Sequence, residues 1–280
     1  MRNGNRNNKK MNIRVKLWGV RGSLPAPGPL TQRFGGNTSC VEMRCGDQLF
    51  IFDAGSGIRE LGAEMMKSMP IHARMFFTHY HWDHVLGFPF FVPAYVPGNE
   101  FDIYGEKKRG LSPRQILAGQ MSFPYFPVTL EAMRAKLTFH TIKPSQLLKF
   151  DEVTIKTHRL NHPFDAMGYR VEYRGSAVAY ITDYEHFDHT DEPLVEFVRG
   201  VDAMIYDSAF SDAEYVTKHG WGHSTWEEGI KLAKASDVKM LIISHHEPAH
   251  DDTHMRQVEQ LARRVHRNIC VAREKIELWF

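Results

Sequence analysis

The chain has few cysteines and no long apolar run. These two features limit the class of protein to which it can belong. Three cysteines in 280 residues are too few, and odd in number, for a disulfide framework, which favours a reducing compartment. No stretch approaches the roughly 18 apolar residues of a membrane-spanning helix. Residues 1–10 lack the apolar segment of a signal peptide. We therefore expect a cytoplasmic protein without a membrane partner.

An excess of one charge is also missing. The chain has 35 Lys and Arg against 33 Asp and Glu, a net charge of +2, so a stable nucleic-acid partner is not expected. Repeats, linkers and low-complexity segments are absent after an Asn-rich, basic start. We predict a disordered leader over residues 1–11 and a single domain over residues 12–280, which is long enough to bury a large core.

Histidine is abundant, with sixteen residues, and three of them lie in one short segment. The segment Thr78–His84 reads Thr-His-Tyr-His-Trp-Asp-His and follows an apolar run that predicts a buried strand. Three imidazoles and a carboxylate this close together fit neither one face of a helix nor one face of a strand. They predict a tight loop around metal, with two ligands directed to each side, which suits two neighbouring ions. A solvated polar loop does not need so many ligand-type residues.

Other chemically active residues each follow a predicted strand. They are Asp53, His162, Asp183, Asp207 and His245. Random histidines and aspartates would scatter over helices and loops, so this placement predicts one site at one edge of a sheet-based core. We expect Asp53 to accept a hydrogen bond from the outer ring N–H of a metal-bound histidine.

The aromatic segment Met121–Pro127 leaves two alternatives open. Its proline-stiffened rings favour either a wall of the substrate pocket or a contact with the core or with a second subunit. The first alternative makes Tyr125 and Phe126 substrate-binding residues.

The segment Gly222–Thr225 predicts the start of a helix. Ser224 and Glu227 have the spacing of a capping box, which places His223 just before the helix. Exposed N–H groups and the helix dipole favour an anion there, and Ser224 is predicted to bind the substrate.

The segment His79-x-His81-x-Asp83-His84, followed by His162, Asp183 and His245, resembles the signature of the metallo-β-lactamase superfamily. The resemblance implies an α/β fold, an αββα sandwich of two mixed sheets with helices on the outer faces. It also implies that Asp183 bridges two metal ions. The first ion would be held by His79, His81 and His162, and the second by Asp83, His84 and His245.

Two details of this implied centre stay open. In Ser244-His245-His246 the pattern of apolar strand, Ser or Thr, then His favours His245 as the ligand, and His246 would then face the substrate. The nitrogen and oxygen ligands suit two divalent ions, with zinc favoured and manganese or iron as alternatives. True β-lactamases of the superfamily have a cysteine where this chain has Asp183, which argues against lactam hydrolysis.

Within the superfamily, Ile205–Phe210 and Gly222–Thr225 resemble the phosphodiesterase branch, which includes tRNase Z and small cyclic phosphodiesterases. The resemblance implies two-metal hydrolysis of a phosphodiester. His223, aligned by Asp207, would be the general acid for the leaving oxygen, and Asp83 would help to orient the nucleophile. Many relatives in this branch are dimers, so a homodimer is expected.

We predict a metal-dependent hydrolase that cleaves a small, cyclic nucleotide or a related phosphodiester. A tRNA 3′-processing endonuclease is one alternative, but that family carries a long basic arm, whereas Lys107-Lys108-Arg109 is a short charged turn. A lactone or ester hydrolase is another, and the Asp207 and His223 pair argues against it. A non-catalytic nucleotide-binding protein is the third, and it would not need the complete ligand set.

Overall fold

The structure is a computed structural model that describes residues 12–280, so the predicted leader over residues 1–11 lies outside the described part. The strands in chain order are β1 Ile13–Gly19, β2 Cys40–Cys45, β3 Gln48–Phe52, β4 His72–Phe76, β5 Glu100–Glu106, β6 Lys136–Ile142, β7 Leu147–Phe150, β8 Val153–Leu160, β9 Ala166–Tyr173, β10 Ser176–Ile181, β11 Ala203–Asp207, β12 Leu241–Ser244, β13 Ile269–Val271 and β14 Glu277–Trp279. The α-helices are α1 Ile58–Met65, α2 Trp82–Val85, α3 Pro113–Gln120, α4 Glu192–Val198, α5 Asp212–Tyr215, α6 Trp226–Ala235 and α7 Asp252–Val265. Short 3-10 helices span Phe88–Phe90, Val92–Tyr95 and Leu130–Ala132.

The strands form two seven-stranded mixed sheets. The first has the order β14-β1-β2-β3-β4-β5-β6, and its strands from β3 to β6 are parallel. The second has the order β13-β12-β11-β10-β9-β8-β7, and its strands from β10 to β13 are parallel. Antiparallel pairing completes both sheets. The prediction of two mixed sheets is confirmed.

Apolar side chains of both sheets share one cluster. Val15 and Phe52 of the first sheet belong to the same buried cluster as Tyr169 and Ile205 of the second. On the outer faces, α1 and α3 pack in one further cluster, and α4, α6 and α7 pack in another. The arrangement is an αββα sandwich, because alternate side chains of each strand face either the shared cluster or a cluster with helices.

Parallel strands place the predicted site residues at one edge. Asp53 follows β3, and His79 lies three residues after β4, its parallel neighbour. In the second sheet, Asp183, Asp207 and His245 lie at or just after the ends of the parallel strands β10, β11 and β12. The carboxyl ends of parallel strands meet at the same edge, so residues distant in sequence converge there.

The N-cap of helix α6 differs by one residue from the prediction. Thr225, and not Ser224, is its N-cap, since the Thr225 hydroxyl accepts a hydrogen bond from the Glu228 N–H at 3.1 Å. The predicted capping box of Ser224 and Glu227 is therefore wrong, although the helix bounds are as expected. Among the described residues, none of the helices combines the length and apolar character that crossing a bilayer demands.

Candidate metal centre

Three histidines form the first ligand group. Ligand atoms of His79, His81 and His162 all lie within 4.8 Å of one another. His162 Nε2 is 3.1 Å from His81 Nδ1, and the His79 ring lies 4.4 Å from the His81 ring between centroids. Two residues come from the loop after β4 and the third from the end of β8. Three converging imidazoles are the ligand set of a borderline transition metal.

The second group contains Asp83, His84, Asp183 and His245, which are all buried. His84 Nε2 lies 3.1 Å from Asp83 Oδ2 and 3.0 Å from Asp183 Oδ2. The other Asp183 oxygen, Oδ1, lies 3.4 Å from His245 Nε2 and 3.8 Å from His79 Nε2. Asp183 therefore stands between the two groups, with an oxygen near the nitrogens of each.

Buried nitrogens without partners test whether these residues fit a metal. The Nε2 atoms of His79, His84 and His245 are buried and lack a well-directed hydrogen bond within residues 12–280, although His84 Nε2 has carboxylate oxygens at 3.0 and 3.1 Å. Leaving a buried polar atom unsatisfied costs about 1–3 kcal/mol, so three together at one point call for a shared partner. A divalent cation satisfies all three. The three cysteines are free and belong to neither group, which leaves a nitrogen and oxygen donor set.

The opposite ring nitrogens have fixed partners. His84 Nδ1 lies 2.8 Å from Asp53 Oδ2, and Asp53 Oδ2 also accepts the Tyr180 hydroxyl at 3.0 Å. His162 Nδ1 lies 2.8 Å from the Gly222 carbonyl oxygen. Such contacts set which nitrogen carries the proton and leave the other to bind metal. Asp53 therefore has the geometry that the sequence predicted for it.

The charge states of most of these residues also suit metal binding. At His84 burial opposes protonation, but the carboxylates of Asp183, Asp83 and Asp53 raise its pKa, and a bound ion would replace that proton. Burial lowers the pKa of His79, and nearby His84 lowers it further. Burial likewise lowers the pKa values of His81 and His162, so these rings keep a free lone pair at neutral pH. Burial of Asp183 opposes ionisation, but the surrounding imidazoles hold the pKa of its carboxyl well below the usual range. Neutral imidazoles and ionised carboxylates are the forms that metals bind.

Three residues of the centre have left-handed backbones. The φ angles are 61° at Asp53, 55° at Asp183 and 60° at His245. Such angles are uncommon for residues other than glycine and occur where the surrounding structure imposes them, often at functional sites. Each turn lies one or two residues after a strand and changes the direction of the side chain. Local sequence patterns do not specify these turns.

His223 and Asp207 form a pair beside the second group. His223 Nδ1 lies 2.9 Å from Asp207 Oδ2, and the fully buried Asp207 also accepts the backbone N–H groups of Tyr184 and Ala209. Burial lowers the pKa of His223, but the adjacent Asp207 outweighs it and, with Asp183 and Asp83, raises the pKa to about 9. His223 is therefore protonated at neutral pH.

Glu185 was missed by the sequence analysis, although it organises the loop that carries His223. Its carboxylate accepts the N–H groups of Gly220 at 2.5 Å and Gly222 at 2.8 Å, and the Tyr215 hydroxyl at 2.9 Å. Its backbone pairs with Asn161, the neighbour of His162. Through its carboxylate and its backbone, Glu185 thus links the loop of His223 to the neighbour of His162. A glutamate two residues after Asp183 belongs to no recognisable motif.

Two predicted substrate contacts are wrong. Ser224 is fully buried, and its hydroxyl lies 2.8 Å from the Tyr206 hydroxyl and 2.9 Å from His186 Nδ1. His246 is also fully buried; its Nε2–H donates to the Ala272 carbonyl at 2.9 Å, and burial lowers its pKa to about 3. Neighbouring side chains at a strand end face opposite ways, so the ring of His245 reaches the metal groups and that of His246 does not.

Tyr125 and Phe126 line a groove that opens beside the metal ligands. The groove has a volume of about 670 Å³ and also contains Trp82, which lies between two predicted ligands. Tyr125 is 75% exposed and Trp82 is 77% exposed, so both rings offer free faces. The pocket alternative for this segment is compatible with the structure, and contact with substrate stays a prediction.

The close approach of Gly22 to His245 gives a test of the second ligand group. A Cβ atom at Gly22 would lie 2.4 Å from His245 Cδ2 and 2.5 Å from Nε2. We expect Gly22→Ala to displace this ring and to weaken metal binding by about 10–100-fold, as changes around metal ligands commonly do. Competition titration with a chelating dye measures the effect. Gly28→Ala is the matched control, because an added Cβ meets nothing within 4 Å there; equal affinity of the two variants would contradict the assignment of His245.

Comparisons with known proteins agree with this geometry. A family model described as "Beta-lactamase superfamily domain" matches residues 49–246. A relative named ribonuclease Z from Methanosarcina mazei is 25% identical over 310 residues, which cover 95% of this chain and 97% of the relative. The fold resembles that of the metallo-beta-lactamase fold protein YhfI from Bacillus subtilis (TM-score 0.74, 18% identity, 97% and 100% of the chains). It also resembles the short form of human tRNase Z (TM-score 0.69, 20% identity, 95% and 98% of the chains).

Proposed function

Because the chain belongs to the beta-lactamase superfamily and is a metal-dependent hydrolase of that family, we propose that it hydrolyses phosphodiesters. The observation that carries the proposal is the His223 and Asp207 pair, which lies beside the second ligand group with a 2.9 Å contact. A phosphodiester with a ribose leaving group needs a proton at the departing oxygen. A buried, protonated imidazole at the metal centre provides that proton.

Two divalent ions, with zinc the best fit to the ligands, would lower the pKa of a water molecule and neutralise the phosphate oxygens when bound. His79, His81 and His162 would hold one ion, with Asp183 shared, and the other would be held by Asp83, His84 and His245. Asp53 keeps His84 oriented through the contact at 2.8 Å. Asp83 also accepts the Ser23 N–H at 2.9 Å. Because its carboxylate is already engaged by this N–H and would also hold an ion, we treat its role in orienting the nucleophile as secondary.

His223 acts as the general acid in this proposal. Its Nδ1–H donates to Asp207, so Nε2 is the nitrogen that gives a proton to the leaving oxygen. Positive ions at Asp183 and Asp83 would offset two of the charges that raise the pKa of His223, which leaves Asp207 as the lasting cause. The pKa then moves toward neutrality, where a general acid is most effective.

An RNA phosphodiester is the favoured substrate class. The sequence analysis ranked a small cyclic phosphodiester first, whereas the name of the Methanosarcina relative supports the nuclease alternative. Exposed rings of Trp82 and Tyr125 on one side of the centre offer stacking surfaces for bases. On the other side, Arg109 lines a pocket together with His81 and would contact a phosphate group. The ammonium of Lys108, in the same pocket, already donates to Glu106 and to two backbone carbonyls.

A small cyclic phosphodiester is the second candidate, supported by the stretch between His162 and Asp183. Strands β9 and β10 and a tight turn occupy nearly all of this stretch, without a long basic arm for the body of an RNA. A compact centre of this kind would accept a small substrate.

The homodimer and the cytoplasmic location also stay predictions.

A substrate panel tests the proposal. We expect turnover of bis(p-nitrophenyl) phosphate and of either a 3′-extended tRNA transcript or cyclic nucleotides, with little turnover of an aryl lactone. An Asp183→Ala preparation, purified in the same way, controls for contaminating nucleases. Preference for the lactone would replace the proposal with an ester hydrolase, and nucleotide binding without turnover would make the chain a binding protein.

A further inference from the structure

A second cluster of ligand-type residues lies apart from the dinuclear centre. Ligand atoms of Glu214, His250 and His254 lie within 4.8 Å of one another. His250 Nε2 is 2.7 Å from Glu214 Oε1. The two imidazoles are stacked, with ring centroids 3.7 Å apart and planes within 14° of parallel, so one ring must rotate before a single ion can lie in the planes of both. None of these residues has a part in the proposed hydrolysis.

Helix capping holds each member of this cluster in place. Glu214 Oε2 accepts both the backbone N–H and the hydroxyl of Ser211, which leaves Oε1 directed at His250. His254 lies in the first turn of α7, where Asp251 caps its N–H at 2.8 Å. Side chains of a helix tilt toward its N-terminus, so the His254 ring lies over the residue four positions earlier, His250.

The protonation states leave nitrogen lone pairs available. Burial lowers the pKa of His254, and the adjacent His250 lowers it further, so this ring is neutral at neutral pH. Within residues 12–280, its ring nitrogens have no hydrogen-bond partner, unlike the nitrogen of His250 that meets Glu214. A simple ion pair of His250 and Glu214 accounts for two members of the cluster. It does not account for a neutral third imidazole packed against them.

We propose that Glu214, His250 and His254 bind a further divalent transition-metal ion, such as zinc or cobalt, separate from the dinuclear centre. Two imidazoles and one carboxylate, with water in the remaining position, form a known type of zinc site. The ion would join α5, which follows Asp207, to the start of α7, which follows His245. It would thereby fasten together two loops that carry residues of the dinuclear centre.

The metal count of matched variants tests this site. We expect the wild-type chain, saturated with Co²⁺ and then gel-filtered, to hold one more ion per chain than His254→Ala. His189→Ala replaces an exposed histidine outside both clusters and should keep the wild-type count. The difference between variants is independent of how many ions the dinuclear centre holds and of which substrate is cleaved. An equal count in wild type and His254→Ala would overturn the proposal.

A second variant covers the case in which His254→Ala does not fold. Glu214→Gln keeps an amide oxygen that accepts the Ser211 N–H, so α5 should remain capped, while the charged ligand is lost. We expect its Co²⁺ titration to lose the weakest-binding step of the wild-type curve and to keep the others. A titration identical to that of the wild type would also overturn the proposal.

Discussion

Replacing Asp183 with alanine is expected to remove more metal than replacing any single histidine ligand, and to reduce hydrolysis to the background rate. Asp183 Oδ2 lies 3.0 Å from His84 Nε2, and Oδ1 lies 3.4 Å from His245 and 3.8 Å from His79. The Asp183 carboxylate therefore lies within reach of both ligand groups, whereas each histidine belongs to one group. Elemental analysis after dialysis measures the metal, and His84→Ala provides the comparison of a single-group ligand.

A second buried aspartate, Asp202, provides a control that distinguishes loss of metal from loss of stability. Asp202 is buried and lies next to β11, where it accepts the Ala177 N–H and pairs with Lys239. Asp202→Ala should lower the free energy of unfolding but leave the metal content unchanged. If Asp183→Ala keeps both ions, or if the wild-type chain is fully active with one ion or none, the dinuclear mechanism is wrong.

Replacing His223 with alanine is expected to slow substrates with a ribose-type leaving group by about 10²–10⁴-fold, the usual contribution of general acid catalysis. The effect should be small for bis(p-nitrophenyl) phosphate, because p-nitrophenolate departs without a proton. Metal content should remain that of the wild type, since His223 is not among the proposed ligands. The measurement is kcat/KM for both substrate types, with metal determined on the same preparations.

Asp207→Asn is expected to produce a weaker form of the His223→Ala effect. It removes the charge that raises the pKa of His223 but keeps a side chain that can contact Nδ1, so the same selective loss should be weaker. Equal slowing of both substrate types by His223→Ala would contradict the general-acid role and leave a phosphate-binding one. Loss of an ion would instead make His223 a metal ligand, which its position near Asp183 and His245 also permits.

One sequence segment, Thr78–His84, was enough to predict a metal site. Three histidines and an aspartate in Thr78–His84 specified a metal site because no single face of a helix or strand presents them all. The resemblance carried by this segment extended the set to His162, Asp183 and His245, and the structure brings all of them together. The same resemblance implied two mixed sheets, and the structure has them.

Errors arose where neighbours in sequence had to be distinguished. Ser224 and Thr225 both suit a helix start, and the choice depends on Tyr206 and His186, which bind the Ser224 hydroxyl. His245 and His246 are chemically identical, and the left-handed turn at His245 decides which ring meets the metal groups. The contacts that hold Ser224 and His246 away from the centre come from residues distant in sequence: Tyr206, His186 and Ala272.

The sequence by itself therefore determined the ligand chemistry of the metal loop, because those residues lie in one short segment. Its resemblance to the superfamily implied the remaining ligands and the type of fold. Only the tertiary structure decided which side chains face the centre and what holds them there. Gly22 makes room for His245, and Glu185 ties the His223 loop to the neighbour of His162. These contacts join segments that approach one another only when two sheets pack face to face, so no local pattern encodes them.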